Sequence, residues 1–160
     1  MGLLHIYDDD DWRMSLASKR DDAQATLPIT GGFQGLVDQL DSVLASGWHF
    51  NRILFETHGI PGEIDFGGDP VNAQRMRTMS SYHYETIAEV GTRLYFNGCN
   101  VAEGDSGWDF LRAAAEVFLI GQGGLAFGHT SIGWCNPFTG HVVHPWGDTR
   151  YVVMAAGGDA

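Results

Sequence analysis

Two short stretches of the sequence contain residues that together can catalyse acyl transfer. His58 is followed by Gly59, and Cys99 is preceded by Gly98. A cysteine attacks a carbonyl carbon as a thiolate, and a nearby imidazole can accept its proton and later protonate the leaving group. Glycine beside each residue leaves room for a substrate backbone. We therefore predict a His58–Cys99 dyad, with the backbone N–H groups of Gly59 and Cys99 forming an oxyanion hole.

The dyad requires that the fold bring the two stretches together. The short apolar run Ile53–Phe55 comes just before His58, and the run Leu94–Phe96 comes just before Cys99. Runs of this length and composition predict buried strands. In α/β sheets the chemistry gathers at the carboxyl ends of the strands. If the two strands are parallel neighbours, His58 and Cys99 lie at the same rim of the sheet.

The rest of the chain alternates between strand and helix patterns. Strands are predicted near residues 3–7, 52–56, 93–97 and 124–128, with a last strand over 151–154. Helices are predicted over residues 33–46, from Asp69 to about Val90, and from a cap at Asp105 or Ser106 to Phe118. Residues 12–30 are expected to form a loop and Gly59–Gly68 a hairpin. This alternation predicts a single α/β domain over residues 1–160, a three-layer α/β/α sandwich with a mostly parallel central sheet.

The charge balance excludes several classes of partner. Nine basic residues stand against 20 acidic ones, which gives a net charge of −11, and no basic stripe is present. We therefore expect no nucleic-acid partner and no docking on anionic lipid. No apolar run approaches the roughly 20 residues of a membrane span. Gly121–Gly124 precedes a predicted strand rather than joining a strand to a helix, so we expect no nucleotide or other cofactor.

The N-terminal residues and the cysteines give an expectation for the cellular compartment of the protein. Residues 1–7 lack the basic and apolar regions of a secretory signal. The two cysteines, Cys99 and Cys135, form no disulfide framework. The default expectation is a reduced, cytoplasmic setting, with secretion as the alternative if the chain is part of a longer protein.

Two further groups of residues have to be weighed as metal ligands. The consecutive acids Asp8–Asp11 are interpreted as a solvated loop, with a divalent cation site as the alternative. His141 and His144 flank two valines, and the following proline favours an extended or turn segment rather than a zinc-binding helix. We predict no metal. His129 follows the strand predicted over residues 124–128, where it would orient His58, contact substrate, or simply occupy a turn.

The two glycine-flanked stretches resemble the paired motifs of caspase-like (clan CD) cysteine peptidases. These are Glu-Thr-His-Gly-Ile-Pro-Gly over residues 56–62 and Asn-Gly-Cys-Asn-Val-Ala-Glu-Gly over residues 97–104. The clan includes caspases, metacaspases, gingipains, separase and CHAT domains, and Cys-x-x-Ala-x-Gly from Cys99 is most similar to the CHAT group. The wider pattern, with Gly107 and Phe110 opening the next helix, resembles an uncharacterised bacterial domain of this clan that is found in large repeat-bearing surface proteins.

The resemblance implies a caspase-like fold and a cysteine endopeptidase. It implies His58 as general base, Cys99 as nucleophile, and a peptide or protein substrate lying along the sheet edge beyond the Cys99 strand. Metacaspases carry an acidic residue two positions before the cysteine, whereas this chain has Asn97, so a preference for Arg or Lys is not supported. The resemblance also implies pocket residues after the strand predicted over residues 124–128. The predicted substrate pocket comprises Asn97, His129, Trp134, Phe138 and Trp146.

The composition of this pocket region favours a neutral or small apolar substrate side chain. No basic residue lies between Arg112 and Arg150, and Asp148 is the only acid between Glu116 and Asp159. Three hypotheses about the function of the chain remain open at this point. The first is a cysteine peptidase or related acyl hydrolase, and the second is a non-catalytic caspase-like module that binds a protein partner. The third is a metal-dependent hydrolase built on the histidines and the Asp8–Asp11 run.

Overall fold

The computed structural model describes residues 2–144 and 146–157, and at residues 17, 18 and 135 only the backbone is considered. The strands are β1 Leu3–Asp8, β2 Ala25–Ile29, β3 Phe50–Glu56, β4 His58–Ile60, β5 Glu63–Phe66, β6 Asp69–Asn72, β7 Ala88–Phe96, β8 Gly124–His129, β9 Trp134–Cys135, β10 Val142–Val143 and β11 Thr149–Met154. The α-helices are α1 Gly32–Ser46, α2 Ala73–Arg77 and α3 Gly104–Phe118. Short 3₁₀ turns span Ser15–Lys19, Thr78–Tyr82 and Tyr84–Ile87.

Six strands form the central sheet in the order β11-β8-β7-β3-β1-β2. All neighbouring pairs are parallel except β8 with β11, which is antiparallel. The prediction of an α/β fold with a mostly parallel sheet is confirmed, as are the predicted strand positions. Because β7 has a neighbour on each side, the free edges of this sheet are at β2 and β11.

Strand β2 lies in the segment that we predicted to be a loop. Leu27 and Ile29 are buried, whereas Thr26 and Pro28, which alternate with them, are exposed, and this is the pattern of a strand covered on one face. Proline is tolerated here because β2 is an edge strand, so one row of its backbone groups needs no partner strand. Pro28 is the reason that this segment was predicted to be a loop rather than a strand.

The helices α1 and α3 pack on one face of the sheet, as Tyr84 shows. The Tyr84 hydroxyl donates to the backbone oxygen of Val37 in α1 at 3.3 Å, and its ring stacks on Phe118 of α3 at 6.1 Å. On the sheet below, Phe55 and Phe96 stack at 4.9 Å and belong to the same buried cluster. The buried apolar side chains of both helices therefore belong to the core. None of the described helices combines the length and apolarity required to cross a lipid bilayer.

The opposite face of the sheet is covered only in part by the described residues. The 3₁₀ turn Ser15–Lys19 contacts β1 and β2. Towards the other edge, Tyr95 and Phe127 are half-buried and Tyr151 is exposed. The long connection from β1 to β2 thus lies over one half of this face and leaves the other half open.

The helix predicted from Asp69 to Val90 is not present. Asp69–Asn72 is instead strand β6, which pairs with β5 and extends the predicted hairpin to three strands. The Asp69 carboxylate accepts a hydrogen bond from the backbone N–H of Phe33 at 2.9 Å. Asp69 therefore binds the first turn of α1 and does not begin a helix. Only the five-residue α2 follows, capped by Asn72. The cap of α3 also differs from the prediction, because Glu103 rather than Asp105 or Ser106 stands at its N-terminus.

Candidate active site at the carboxyl ends of β3 and β7

The strands that lead to His58 and Cys99 are neighbours. In the parallel pairing of β3 with β7, Phe55 lies opposite Phe96. Just beyond the strand, the backbone N–H of Asn97 donates to the oxygen of Phe55 at 2.9 Å. The prediction that these two strands are adjacent and parallel is confirmed, and both residues of the proposed dyad follow the same end of the sheet.

The backbones of the two motifs touch each other at their glycines. A Cβ atom on Gly98 would lie 3.3 Å from the Cα of Gly59. A Cβ atom on Gly59 would lie 2.8 Å from the carbonyl oxygen of Cys99 and 3.1 Å from its nitrogen. Any side chain at Gly59 would therefore force the two loops apart. The two residues predicted to form an oxyanion hole, Gly59 and Cys99, lie side by side.

His58 and Cys99 line one cavity of about 430 Å³. The Cys99 sulfur accepts a hydrogen bond from the backbone N–H of Gly133 at 3.4 Å. Of the predicted pocket residues, Trp134 lies in this cavity. Gly133 also lines the cavity, and the rest of the wall comes from the segment predicted to be a loop, which was not expected to contribute to the pocket. Its lining residues are Trp12, Arg13, Met14 and Leu16. The cavity that His58 and Cys99 line thus has predominantly apolar walls.

Asp11 contacts His58, a relationship that was not predicted. The Nε2–H group of His58 donates to Oδ2 of Asp11 at 3.0 Å. Burial opposes ionisation of Asp11, but hydrogen bonds from the Arg13 backbone and from His58 outweigh it and lower the pKa of Asp11 to about 2. A carboxylate only accepts hydrogen bonds, so His58 donates from Nε2, and in the neutral imidazole the lone pair lies on Nδ1. In this tautomer Nδ1 is the ring nitrogen that can accept a proton.

The run Asp8–Asp11 is only in part the solvated loop that we predicted, because Asp9 and Asp10 are exposed whereas Asp8 is buried. Asp8 is buried, and its carboxylate accepts the backbone N–H groups of Gly67 at 3.0 Å and Asp10 at 3.1 Å. Burial raises the pKa of Asp8. Asp10 accepts the backbone N–H of Gly31 at 3.0 Å. The run joins the end of β1 to the hairpin and to the start of α1, and this places Asp11 beside His58.

Backbone hydrogen bonds hold the loop that carries Cys99. The oxygen of Val101 accepts the N–H of Gly62 from the turn between β4 and β5 at 3.0 Å. On the other side, the N–H of Ala102 donates to the oxygen of His129 at 3.0 Å. The start of α3 lies close beneath, because a Cβ on Gly107 would come within 2.2 Å of the Ala102 carbonyl carbon. The position of Cys99 is thus fixed by β8, by the hairpin and by α3.

A second polar cluster surrounds Glu56, two residues before His58. The Glu56 carboxylate is fully buried and accepts hydrogen bonds from His5 Nε2 at 2.7 Å and from Arg20 Nη1 at 3.1 Å. Asn97 donates its Nδ2–H to the same carboxylate at 3.4 Å. An acid therefore does lie beside Asn97, although it comes from the neighbouring strand and is already paired with Arg20. Glu56 stands two residues before His58, and Asn97 stands two residues before Cys99. For two adjacent parallel strands, this equal spacing would have predicted that Glu56 and Asn97 lie side by side.

His129 lies next to Asn97. Its Nε2–H donates to Asn97 Oδ1 at 3.3 Å, its Nδ1 accepts the Thr149 hydroxyl at 3.3 Å, and its ring stacks on His144 at 3.7 Å. Burial and the neighbouring His144 lower the pKa of His129 to about 4. Both ring nitrogens are used in these contacts, so the structure brings His129 to Asn97 rather than to His58.

The two other predicted pocket aromatics are exposed. Phe138 is 89% exposed and Trp146 is 68% exposed, and neither lines the cavity of His58 and Cys99. The side chain of Cys135 lies outside the described part of the structure. Across the described residues, no group of three or more His, Cys, Asp or Glu side chains is arranged to hold a metal ion.

Fold and site together define an α/β protein with a histidine and a cysteine at one rim of a mostly parallel sheet. Residues 12–120 match the family described as a domain of unknown function, DUF4347, and the chain belongs to this family. The match includes both His58 and Cys99 and begins one residue after Asp11. No curated protein and no solved structure is significantly similar to the chain.

Proposed function

We propose that this protein is a cysteine peptidase or related acyl hydrolase of the caspase-like kind. Cys99 is the nucleophile, His58 is the general base, and Asp11 is a positioning residue that orients His58. The observation that carries the proposal is that His58 and Cys99 follow adjacent parallel strands and line one cavity. The resemblance of both motifs to clan CD peptidases supports the same assignment.

The mechanism uses the tautomer that Asp11 selects. Nδ1 of His58 takes the proton of Cys99, and the thiolate attacks the carbonyl carbon of the substrate. The N–H groups of Gly59 and Cys99 stabilise the negative charge that develops on the carbonyl oxygen. His58 then gives its proton to the leaving amine or alcohol, and the acyl group remains on sulfur as a thioester. Water that loses a proton to His58 hydrolyses the thioester, which releases the acid and restores the thiol.

We propose a caspase-like, three-layer arrangement as the finer description of the fold. The helices α1 and α3 form one layer and the sheet forms the second. The segment between β1 and β2, with its 3₁₀ turn Ser15–Lys19, forms a thin third layer on the opposite face. The three-stranded β4–β6 unit, inserted after His58, and the loop after Cys99 are consistent with this arrangement.

The cavity walls favour a neutral or apolar substrate side chain next to the scissile bond. Trp12, Met14, Leu16 and Trp134 contribute most of the wall, and the nearby Arg13 already pairs with Asp11 at 3.4 Å. A charged side chain would lose hydration there without gaining a free partner of opposite charge. Peptide or protein is the substrate class that we propose.

A second candidate function is a non-catalytic module that binds a protein partner. The exposed aromatic residues around the cleft favour it, since Trp12 is 74% exposed and Trp134 is 60% exposed. Large aromatic side chains are enriched at protein interfaces. In this case the cleft would hold a partner segment without turnover.

A fluorogenic peptide library, with the residue before the scissile bond varied, tests the proposed hydrolase function. We expect cleavage after neutral or apolar residues, and we expect Cys99→Ala and His58→Ala to abolish it. A set of activated esters and thioesters tests the acyl-hydrolase form in the same assay. Turnover that survives Cys99→Ala would place the chemistry elsewhere. If no substrate is turned over while Cys99 alkylation leaves binding of a partner intact, the module is the correct assignment.

A further inference from the structure

Two arginines on the open half of the sheet lie opposite each other, and no acidic side chain in the described part of the structure pairs with them. Arg52 of β3 pairs in register with Arg93 of β7, so both side chains extend from the same face of the sheet, and both are exposed. Among the described residues, no carboxylate forms an ion pair with either of them. Like charges directly opposite each other on neighbouring strands destabilise a sheet. In a chain with 20 acidic and nine basic residues, the stability of the fold does not explain this pair.

A groove continues from Arg52 along this face. It has a volume of about 220 Å³, and its apolar walls come from Leu3, Leu54 and Tyr95. Arg20 and Asn97 close the end nearest to the rim of the sheet. The charge of Arg20 is already balanced by Asp22 at 2.8 Å and Glu56 at 3.1 Å. The unbalanced charge at the groove is therefore that of Arg52, with Arg93 on the next strand.

Aromatic side chains extend the same face towards β11. The rings of Tyr95 and Phe127 stack at 5.0 Å, and those of Phe127 and Tyr151 lie 5.9 Å apart. Tyr151 and Val153 are 55% and 65% exposed on this edge strand. The face thus combines two arginines that have no ion-pair partner among the described residues, a groove and a row of partly exposed aromatic rings. We call it the open face.

We propose that the open face is a docking site for an acidic, apolar-containing peptide segment of a partner protein. Carboxylates of the segment pair with Arg52 and Arg93, which lie roughly 5 Å apart at their Cα atoms, the spacing of adjacent strands. Apolar side chains of the segment pack in the groove and on the rings of Tyr95, Phe127 and Tyr151. The site is separate from the dyad cavity, because the two share no lining residue.

The charges favour a peptide over the other anionic macromolecules. An anionic membrane and the phosphate backbone of nucleic acid bind through many basic residues at once, and this chain has only nine basic residues against 20 acidic ones. Two adjacent arginines beside an apolar groove instead match the side chains of a single acidic segment. Such a contact relies on complementary charge for specificity and on apolar burial for affinity.

The test is a fluorescence-anisotropy titration with a fluorescein-labelled peptide of about ten residues that alternates Glu with Leu and Tyr. The protein carries Cys99→Ala, so turnover does not contribute and the outcome is independent of the hydrolase proposal. We expect the double variant Arg52→Glu/Arg93→Glu to bind at least about tenfold more weakly. The milder Arg52→Gln/Arg93→Gln should weaken binding less, and added salt should weaken wild-type binding.

The matched control is Arg112→Glu, since Arg112 is an exposed arginine on α3, across the sheet from the open face. This variant should leave the affinity within about twofold of the parent, the range expected of a remote surface charge. Equal binding of the peptide with Gln in place of Glu would overturn the proposal, as would equal losses in all three variants. Absence of peptide binding, or binding only to vesicles of phosphatidylserine and phosphatidylcholine, would overturn it as well.

Discussion

The carboxylate of Asp11 accepts the Nε2–H of His58 at 3.0 Å, which fixes the imidazole in the tautomer with a free lone pair on Nδ1. Asp11→Asn is nearly isosteric, but its amide can present an N–H group to Nε2 and stabilise the opposite tautomer. We expect the turnover number to fall by at least about tenfold, as happens when the orienting acid of a histidine base is replaced. The melting temperature should change little.

The control for this variant is Asp9→Asn, because Asp9 is exposed and belongs to the same acidic run. Asp9→Asn should leave turnover unchanged. Equal activity of Asp11→Asn and the wild type would mean that Asp11 does not position the base.

The close approach of the two motif loops predicts a graded response to alanine. A Cβ on Gly59 meets the Cys99 carbonyl oxygen at 2.8 Å, whereas a Cβ on Gly98 meets the Cα of Gly59 at 3.3 Å, where a small shift is sufficient. Gly59→Ala should therefore cost about 1–3 kcal/mol of unfolding free energy, the range for overpacked sites. Gly98→Ala should cost less. Urea denaturation measures both, and the reverse order would show that the loops are not in this contact.

The half-buried histidine pair His129–His144 predicts a loss of stability at mildly acidic pH. His129 has its pKa lowered from 6.5 to about 4 in the folded protein, so between these values the unfolded chain binds a proton that the folded chain does not. Stability contributed by neutral His129 is thus complete above about pH 6.5 and is lost as the pH falls towards 4. Between about pH 7 and 5 this amounts to up to about 2 kcal/mol.

Replacing His129 with glutamine should reduce that loss, because glutamine can still donate to Asn97 but does not titrate. The loss should not vanish, since burial also lowers the pKa of His144. Urea unfolding at the two pH values measures the difference. His141→Gln, at an exposed position, is the control that should retain the wild-type loss. An unchanged pH dependence in His129→Gln would contradict the burial of neutral His129.

The sequence was sufficient to predict that His58 and Cys99 follow adjacent parallel strands, but not that Asp11 contacts His58. The apolar runs before His58 and Cys99 predicted two strands, and the rule that parallel strands end at one rim predicted their meeting. The Asp11–His58 contact joins residues 47 positions apart through an irregular segment, and no periodicity indicates the path of such a segment. Arg20 was missed for the same reason, although it pairs with the buried Glu56.

The helix predicted over residues 69–90 failed because local preferences were outweighed by tertiary contacts. Asp69 followed by Pro70 is a common helix start, but here Asp69 bonds to Phe33 and Pro70 lies in an edge strand. His83 adopts a left-handed backbone conformation at φ 62°, which separates two 3₁₀ turns. Tyr84, next in sequence, then packs between α1 and α3. The sequence pattern alone did not indicate that long-range contact.

The most direct test of a His58–Cys99 dyad is the rate at which iodoacetamide labels Cys99 at about pH 6.5, where an unassisted thiol reacts slowly. Cys135→Ser removes the only other cysteine, so the measured rate belongs to Cys99. We expect the labelling rate of Cys99 in the folded protein to fall by at least about tenfold in His58→Ala and to a lesser extent in Asp11→Asn. A rate equal to that of the urea-unfolded chain, and the same in His58→Ala, would contradict a His58–Cys99 dyad.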